Sequence, residues 1–99
     1  MKHIVMWKLK DSLTDFEKQQ LMLEFKHNMK DIQDILEGII KLEVIINELE
    51  SSNMDMMLIS EFKNQEVLEQ YQKHPKHIAA SNCLSNMVDI RSCIDYIEK

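Results

Sequence analysis

The 99-residue sequence has very little of the residues that build irregular chain, with one glycine and one proline. Together with an ordinary 44% of hydrophobic residues, this scarcity argues against disorder and long loops. We therefore expect short connections between regular elements. A chain of this length makes one domain, residues 1–99, and leaves no room for a second.

A surplus of basic residues is also absent, since 12 Lys and Arg face 17 Asp and Glu, for a net charge of −5. Phosphate contacts need a concentrated excess of positive charge, so we expect no nucleic-acid partner. No apolar run approaches the roughly 18 residues of a membrane span, and the first residues read as a strand rather than a leader. These absences predict a soluble cytoplasmic protein that does not bind membranes.

Cysteine is scarce, and the two present, Cys83 and Cys93, do not form the C-x-x-C spacing of zinc and redox sites. Both lie in segments rich in apolar residues. The sequence therefore predicts buried, reduced thiols.

The first half of the chain predicts a strand and a long helix that ends at a glycine cap. Residues 2–9 alternate with β-branched and aromatic side chains, which is typical of a strand. A capping box of Thr14 and Glu17 opens a helix predicted over 14–37, and Gly38 follows where a left-handed C-terminal cap is favoured. The helix has one core-facing stripe, which Leu21 widens: Met22, Phe25, Met29, Ile32 and Leu36.

The second half predicts a β-hairpin from 39–49 and 54–62, joined by turn residues 50–53. Asn64 is a plausible N-cap for a helix over 65–73, which Pro75 should end at about His74. A short helix follows, with Ile78, Ala79, Cys83, Leu84 and Met87 as its apolar positions. A closing strand spans 88–97. The order βαββαβ predicts a ferredoxin-like α+β fold, a four-stranded antiparallel sheet with helices on one face.

The first strand and residues 56–59 carry bulky apolar side chains on both faces, although helices on one side cover only one of them. An uncovered apolar face of this kind marks an interface. The sequence therefore predicts a homodimer with its sheets packed face to face.

The segment Y-Q-K-H-P-K-H, residues 71–77, places Tyr71 on the last turn of one helix and His77 just beyond it. A phenol and an imidazole so held can serve acid/base chemistry, or they can simply cap and pack at a helix end. A metal site of His3, His74 and His77 is not expected, because Pro75 prevents the helical geometry that would make the last two converge. His27 lies between charged residues and is expected on the surface.

Four segments, M-K-H-I-V-M-W-K-L-K, L-I-S-E-F, Y-Q-K-H-P-K-H and I-D-Y, together resemble the stress-responsive A/B barrel domain family over essentially the whole chain. The resemblance implies a ferredoxin-like chain that dimerises through its sheets into an α/β barrel. In one branch, the plant polyketide cyclases, it implies aldol closure of poly-β-ketide chains without metal or organic cofactor. The working residues of that branch match His3, Tyr71 and His77.

The same resemblance implies a small apolar or polyketide-like ligand between sheet and helices, in a cavity lined by Val5, Trp7, Leu21, Met22, Phe25 and Leu58. Three activities stay open: ligand binding with cyclase- or lyase-like chemistry, a stress-associated structural role without turnover, and cofactor-free monooxygenation, which rests on fold analogy alone. A ligand-sized cavity reached by His77 would favour the first, and a cavity filled by Trp7 and Phe25 the second.

Overall fold

The computed structural model describes residues 1–98 of the chain, which form one four-stranded sheet and three helices. The strands are all antiparallel and lie side by side in the order β2-β3-β1-β4. This is the predicted ferredoxin-like plan. In chain order the elements are β1 Lys2–Leu9, α1 Asp15–Ile35, β2 Ile39–Ile46, β3 Met56–Phe62, α2 Gln65–Lys73, α3 Pro75–Leu84 and β4 Val88–Tyr96.

The ends of α1 follow from local chemistry. Thr14 caps the helix, its Oγ1 accepting from the Glu17 N–H at 3.1 Å while the Glu17 carboxylate accepts from the Thr14 N–H at 2.9 Å. The helix ends at Ile35, two residues before the predicted end, and Gly38 then turns the chain with a φ of +90°. A Cβ at Gly38 would lie 2.8 Å from Val67 Cγ2, so this turn also needs glycine for space.

One core lies between α1, α2, α3 and the inner face of the sheet. The predicted stripe of α1 is buried there at Met22, Phe25, Met29 and Ile32. It packs against β2 and α3, while α2 packs against β3 and α3. Alternate residues of β1 and β3 complete the core from the sheet side: Val5, Trp7, Leu9, Met56, Leu58 and Phe62.

Two predicted faces are wrong in detail. In β2, Ile40 is 60% exposed rather than buried with Leu42 and Val44, because the pairing with β3 shifts register between Ile39 and Lys41. In α3 the buried residues are Ala80 and Leu84, while the predicted apolar positions Ile78, Ala79 and Cys83 are exposed, as is Met87 beyond the end of the helix. The residues of α3 that face the core are thus Ala80 and Leu84, four apart, and the apolar pattern did not predict Ala80.

The prediction of buried cysteines is also wrong, since Cys83 and Cys93 are both free and exposed. Cys83 lies on α3, where it lines a surface groove together with Asn28 and Asp31 of α1. Cys93 lies on β4, an edge strand of which every residue except Val88 is exposed. His27 is exposed, as predicted.

The outer face of the sheet is apolar at its centre. Ile4 is paired with Ile59 on one side and with Ile94 on the other, and Met6 lies opposite Met57. The exposed fractions of Met6 and Ile94 are 36% and 58%. No helix within residues 1–98 combines the length and the apolar character that a membrane crossing requires.

Candidate active site

A cavity of about 390 Å³ lies between the inner face of β1 and β4 and the helices, within the usual range of about 300–1,000 Å³ for small-molecule sites. Its lining combines apolar and polar residues in nearly equal numbers. The apolar residues are Val5, Trp7, Phe25, Leu58, Leu84 and Val88, and the polar ones are His3, Tyr71, His77, Ser81, Ser85, Asp89 and Arg91.

The break between α2 and α3 sets two of the polar groups side by side. His74 has extended backbone (φ −64°, ψ 134°), so it ends α2 and also caps α3, its Nδ1 accepting from the Lys76 N–H at 3.1 Å. Pro75 then occupies the first turn of α3, where a missing N–H costs nothing. As a result the ring of His77 lies against the ring of Tyr71, with their centroids 4.4 Å apart.

The protonation of His77 follows from its surroundings. Its Nδ1 lies 3.2 Å from the carbonyl oxygen of Gln72, which can only accept, so Nδ1 carries the proton and Nε2 keeps its lone pair. Burial lowers the pKa of His77 below its ordinary value, and the bond to Gln72 only partly opposes that effect. His77 is therefore a neutral imidazole near pH 7, in the form that a general base needs.

Tyr71 is fully buried, and its hydroxyl donates to the sulfur of Met29 at 3.3 Å. Burial raises the pKa of Tyr71 well above its ordinary value, against the opposing charge of Arg91. The phenol therefore stays protonated and can act as a hydrogen-bond donor but not as a base. A thioether is a weak acceptor, so a ligand oxygen would compete well for this donor.

His3 is held from two sides. Its backbone carbonyl accepts from the buried Ser60 hydroxyl at 2.6 Å, and its Nδ1 pairs with the carboxylate of Asp95 on β4. The side chain of His3 is 4% exposed and that of Asp95 40%. An ionised carboxylate only accepts, so Nδ1 is the donor of this pair, and in the neutral imidazole Nε2 is then the acceptor.

The structure brings three sequence-predicted residues, His3, Tyr71 and His77, to one cavity. The ring centroids of His3 and Tyr71 are 6.4 Å apart, so Tyr71 lies close to both imidazoles. Val5, Trp7, Phe25 and Leu58 line the cavity as expected from the sequence, whereas Leu21 and Met22 do not. Met22 is buried in the core, and Leu21 packs at its edge.

Trp7 and Phe25 pack edge to face with centroids 5.1 Å apart. They form a wall of the cavity and do not fill it, because both rings line the remaining volume. Of the two arrangements weighed above, the structure has the ligand-sized cavity reached by His77.

Sequence reasoning missed three charged residues of β4. Asp95 pairs with His3, and Asp89 and Arg91 line the cavity. The sequence pattern placed them only within the closing strand 88–97. The signal was present, because in the βαββαβ plan the first and last strands are neighbours and residues facing the helices on one strand lie beside those on the other.

The fold and the cavity define a ferredoxin-like α+β protein with a small-molecule-sized site of two imidazoles and a phenol. The family model of the stress responsive A/B barrel domain (Dabb) matches the sequence over residues 1–98. The chain belongs to the stress responsive A/B barrel domain family.

Solved structures give the same architecture. A dimeric protein of unknown function with a ferredoxin-like fold from Bacteroides fragilis has 35% identity and a TM-score of 0.90, over 96% of this chain and 92% of that one. A Dabb family protein from Mesorhizobium loti has 21% identity and a TM-score of 0.75, over 99% and 95%. The hydroxynitrile lyase of Passiflora edulis, at 13% identity, has a TM-score of 0.77 over 99% and 92% and shares the fold alone. Among proteins with curated functions, none matches this sequence.

Proposed function

We propose that the protein binds a small carbonyl compound with an apolar body in the cavity and moves a proton at the carbon beside its carbonyl. The observation that carries this proposal is the placement of His77 and Tyr71, whose rings are 4.4 Å apart at the wall of a 390 Å³ cavity. The proposed chemistry needs no cofactor, because a neutral base and a protonated donor are both supplied by the chain.

In this proposal Nε2 of His77 takes the proton from the α-carbon. The Tyr71 hydroxyl leaves Met29 and donates to the oxygen on which negative charge develops. His3, held by Asp95, lies near Tyr71 with a ring-centroid distance of 6.4 Å, and as a neutral imidazole it presents Nε2 as an acceptor. The guanidinium of Arg91 adds a positive charge that favours the enolate over the neutral ketone.

The chain carries its own reporter of occupancy, since its one tryptophan, Trp7, lines the cavity. Titration with benzoylacetone, an aryl β-diketone, should change the Trp7 emission and saturate. In D₂O the protein should also accelerate exchange of the diketone's α-protons, measured by NMR. Absence of both effects would contradict the proposal.

His77→Gln tests the base separately from binding. We expect the exchange rate to fall about 10²–10⁴-fold, the usual contribution of a general base, while the Trp7 signal still saturates. His27→Gln is the matched control, because His27 is exposed on α1 and does not line this cavity. An equal loss in both variants would show that the exchange does not depend on this site.

A structural role without turnover is the second candidate. It is favoured by the complete burial of Tyr71 and by the bond from its hydroxyl to Met29, which ties α2 to α1. If this role is the whole function, Tyr71→Phe lowers the free energy of unfolding while no carbonyl probe changes the Trp7 emission.

We also propose that two copies associate through the outer sheet face centred on Ile4, Met6, Met57 and Ile59. Removal of this apolar area from water would stabilise such a pair, and the Bacteroides fragilis protein is described as dimeric. Met57→Glu should shift the sedimentation mass from that of a dimer towards that of a monomer. Phe16→Glu, at an apolar residue of α1 that is 73% exposed, should leave the mass unchanged.

A further inference from the structure

Three different donor groups meet beside the cavity, on the inner face of β1 and β4. His3 is directly opposite Asp95 in the register, and Cys93 is opposite Val5. Because Cys93 and Asp95 are two residues apart on one strand, they share a face, and Cys93 is the diagonal neighbour of His3. The nitrogen, sulfur and oxygen donor atoms all lie within 4.8 Å of one another.

Two of the three separations already have the size that a tetrahedral metal ion requires. Cys93 Sγ lies 3.8 Å from His3 Nδ1 and 3.6 Å from Asp95 Oδ1. With zinc bonds of about 2.3 Å to sulfur and about 2.0–2.1 Å to nitrogen or oxygen, tetrahedral angles put such ligands about 3.5 Å apart. The contact of His3 with Asp95 would have to open, which a rotation of the partly exposed aspartate allows.

A cysteine nucleophile activated by histidine is the other chemistry that these residue types suggest. It requires the thiol and the carboxylate to use different ring nitrogens, the thiol on the base and the carboxylate on the opposite N–H. Here both contact the same atom, Nδ1 of His3. This arrangement fits donors around a common centre and not a proton relay.

We propose that His3 Nδ1, Cys93 Sγ and a carboxylate oxygen of Asp95 form a site for a zinc-type divalent cation. An imidazole, a thiolate and a carboxylate are the donor set that such ions prefer. Three protein ligands leave a fourth position, and the exposure of Cys93 and Asp95 opens it to solvent. Arg91 lies two residues before Cys93 on the same face of β4, and its positive charge lowers the affinity for a cation.

The site goes beyond the proposed function, with which it shares His3. Coordination through Nδ1 requires the other tautomer of the neutral imidazole, so the single ring proton moves from Nδ1 to Nε2 and the hydrogen bond to Asp95 is lost. In the metal-bound form Nε2 is therefore a donor instead of an acceptor. Metal would thus change what His3 presents next to Tyr71 without occupying the position of His77.

The test is titration of the full-length reduced protein with Co²⁺ and with Zn²⁺ in competition with a chromophoric chelator. We expect one ion per chain and a thiolate-to-cobalt charge-transfer band in the near ultraviolet. Cys93→Ser should abolish the band and weaken Zn²⁺ binding at least about 100-fold, since even loss of an outer-shell partner costs about 10–100-fold. Asp95→Asn should weaken binding while keeping the band.

Cys83→Ser is the matched control, because Cys83 is the other exposed free thiol and lies on α3. It should leave the stoichiometry, the band and the affinity unchanged. The proposal is overturned if Cys83→Ser weakens binding as much as Cys93→Ser, if Cys93→Ser binds zinc like the wild type, or if no charge-transfer band appears. None of these measurements uses a carbonyl probe, so the metal site and the proposed function fail separately.

Discussion

The two halves of the inner sheet face differ in how far their side chains are buried. On β3 the inward residues Met56, Leu58, Ser60 and Phe62 are at most 2% exposed. On the other side of β1, the corresponding residues of β4, Arg91, Cys93 and Asp95, are all exposed. The difference arises because α1 packs over β2 and α2 over β3, whereas within residues 1–98 no helix packs as closely over β4.

A small domain can thus form a cavity between covered and open parts of one sheet, without a long loop. The covered half, on the β3 side of β1, holds the buried apolar side chains that stabilise the fold. β1 lies between the two halves and contributes residues to both. On β1, Leu9 is fully buried, whereas His3 and Trp7 line the cavity at the boundary. The charged residues of β4 are tolerated since water reaches them.

The largest expected difference in stability is between two alanine substitutions, one in each half. Phe62→Ala should lower the free energy of unfolding by about 3–5 kcal/mol, because Phe62 is fully buried and its removal leaves a cavity. Arg91→Ala should change it by less than about 0.5 kcal/mol, as exposed substitutions usually do. Urea unfolding measures both, and similar losses would contradict the division.

A smaller effect is expected where the covered half begins, at the turn between α1 and β2. Gly38→Ala should cost about 1–3 kcal/mol, because a φ of +90° strains an L-residue and the new Cβ would meet Val67 at 2.8 Å. The same substitution in a Val67→Ala background should cost less, since part of the contact is then removed. An equal cost in both backgrounds would assign the whole effect to backbone strain.

Much of the covered half could be predicted from the sequence because its signals are local. The Thr14–Glu17 capping box, the glycine after α1 and the stripe of apolar residues on α1 each depend on neighbours within a few residues. The errors occur where a distant element decides. A register shift against β3 turns Ile40 to solvent, and the packing of α3 against α1 selects Ala80.

The site was predictable only in part for the same reason. The H-P turn and its Tyr71 and His77 are adjacent in sequence, so their pattern could be recognised. Asp95 is 92 residues from its partner His3. Only the order of strands in the sheet brings them together. Cys93 was predicted to be buried from its apolar neighbours in sequence, but among the described residues no helix packs closely over its strand.

Tyr71→Phe tests whether the hydroxyl at the boundary of the two halves serves stability or chemistry. The phenol is as buried as Phe62, but its hydroxyl donates only to a thioether. We therefore expect a loss of stability of at most about 1 kcal/mol, within the range of one ordinary hydrogen bond. Diketone proton exchange should fall about 10²–10³-fold if the hydroxyl stabilises the enolate. A large loss of stability with unchanged exchange would favour the structural role.

The smallest expected effect is a pH dependence carried by His77. The pKa of His77 is lower in the folded protein than the ordinary 6.5, chiefly because of burial. Between the two pKa values the imidazole is therefore protonated in the unfolded chain and neutral in the folded one. The stability should therefore be greatest above about pH 6.5 and should fall as the pH drops from there towards the folded pKa. His77→Asn should remove this part of the loss between pH 7.5 and pH 5, measured by urea unfolding, whereas His27→Asn should keep the wild-type slope. A slope in His77→Asn as steep as that of the wild type would show that other groups carry it and that His77 is more hydrated than its position beside Tyr71 implies.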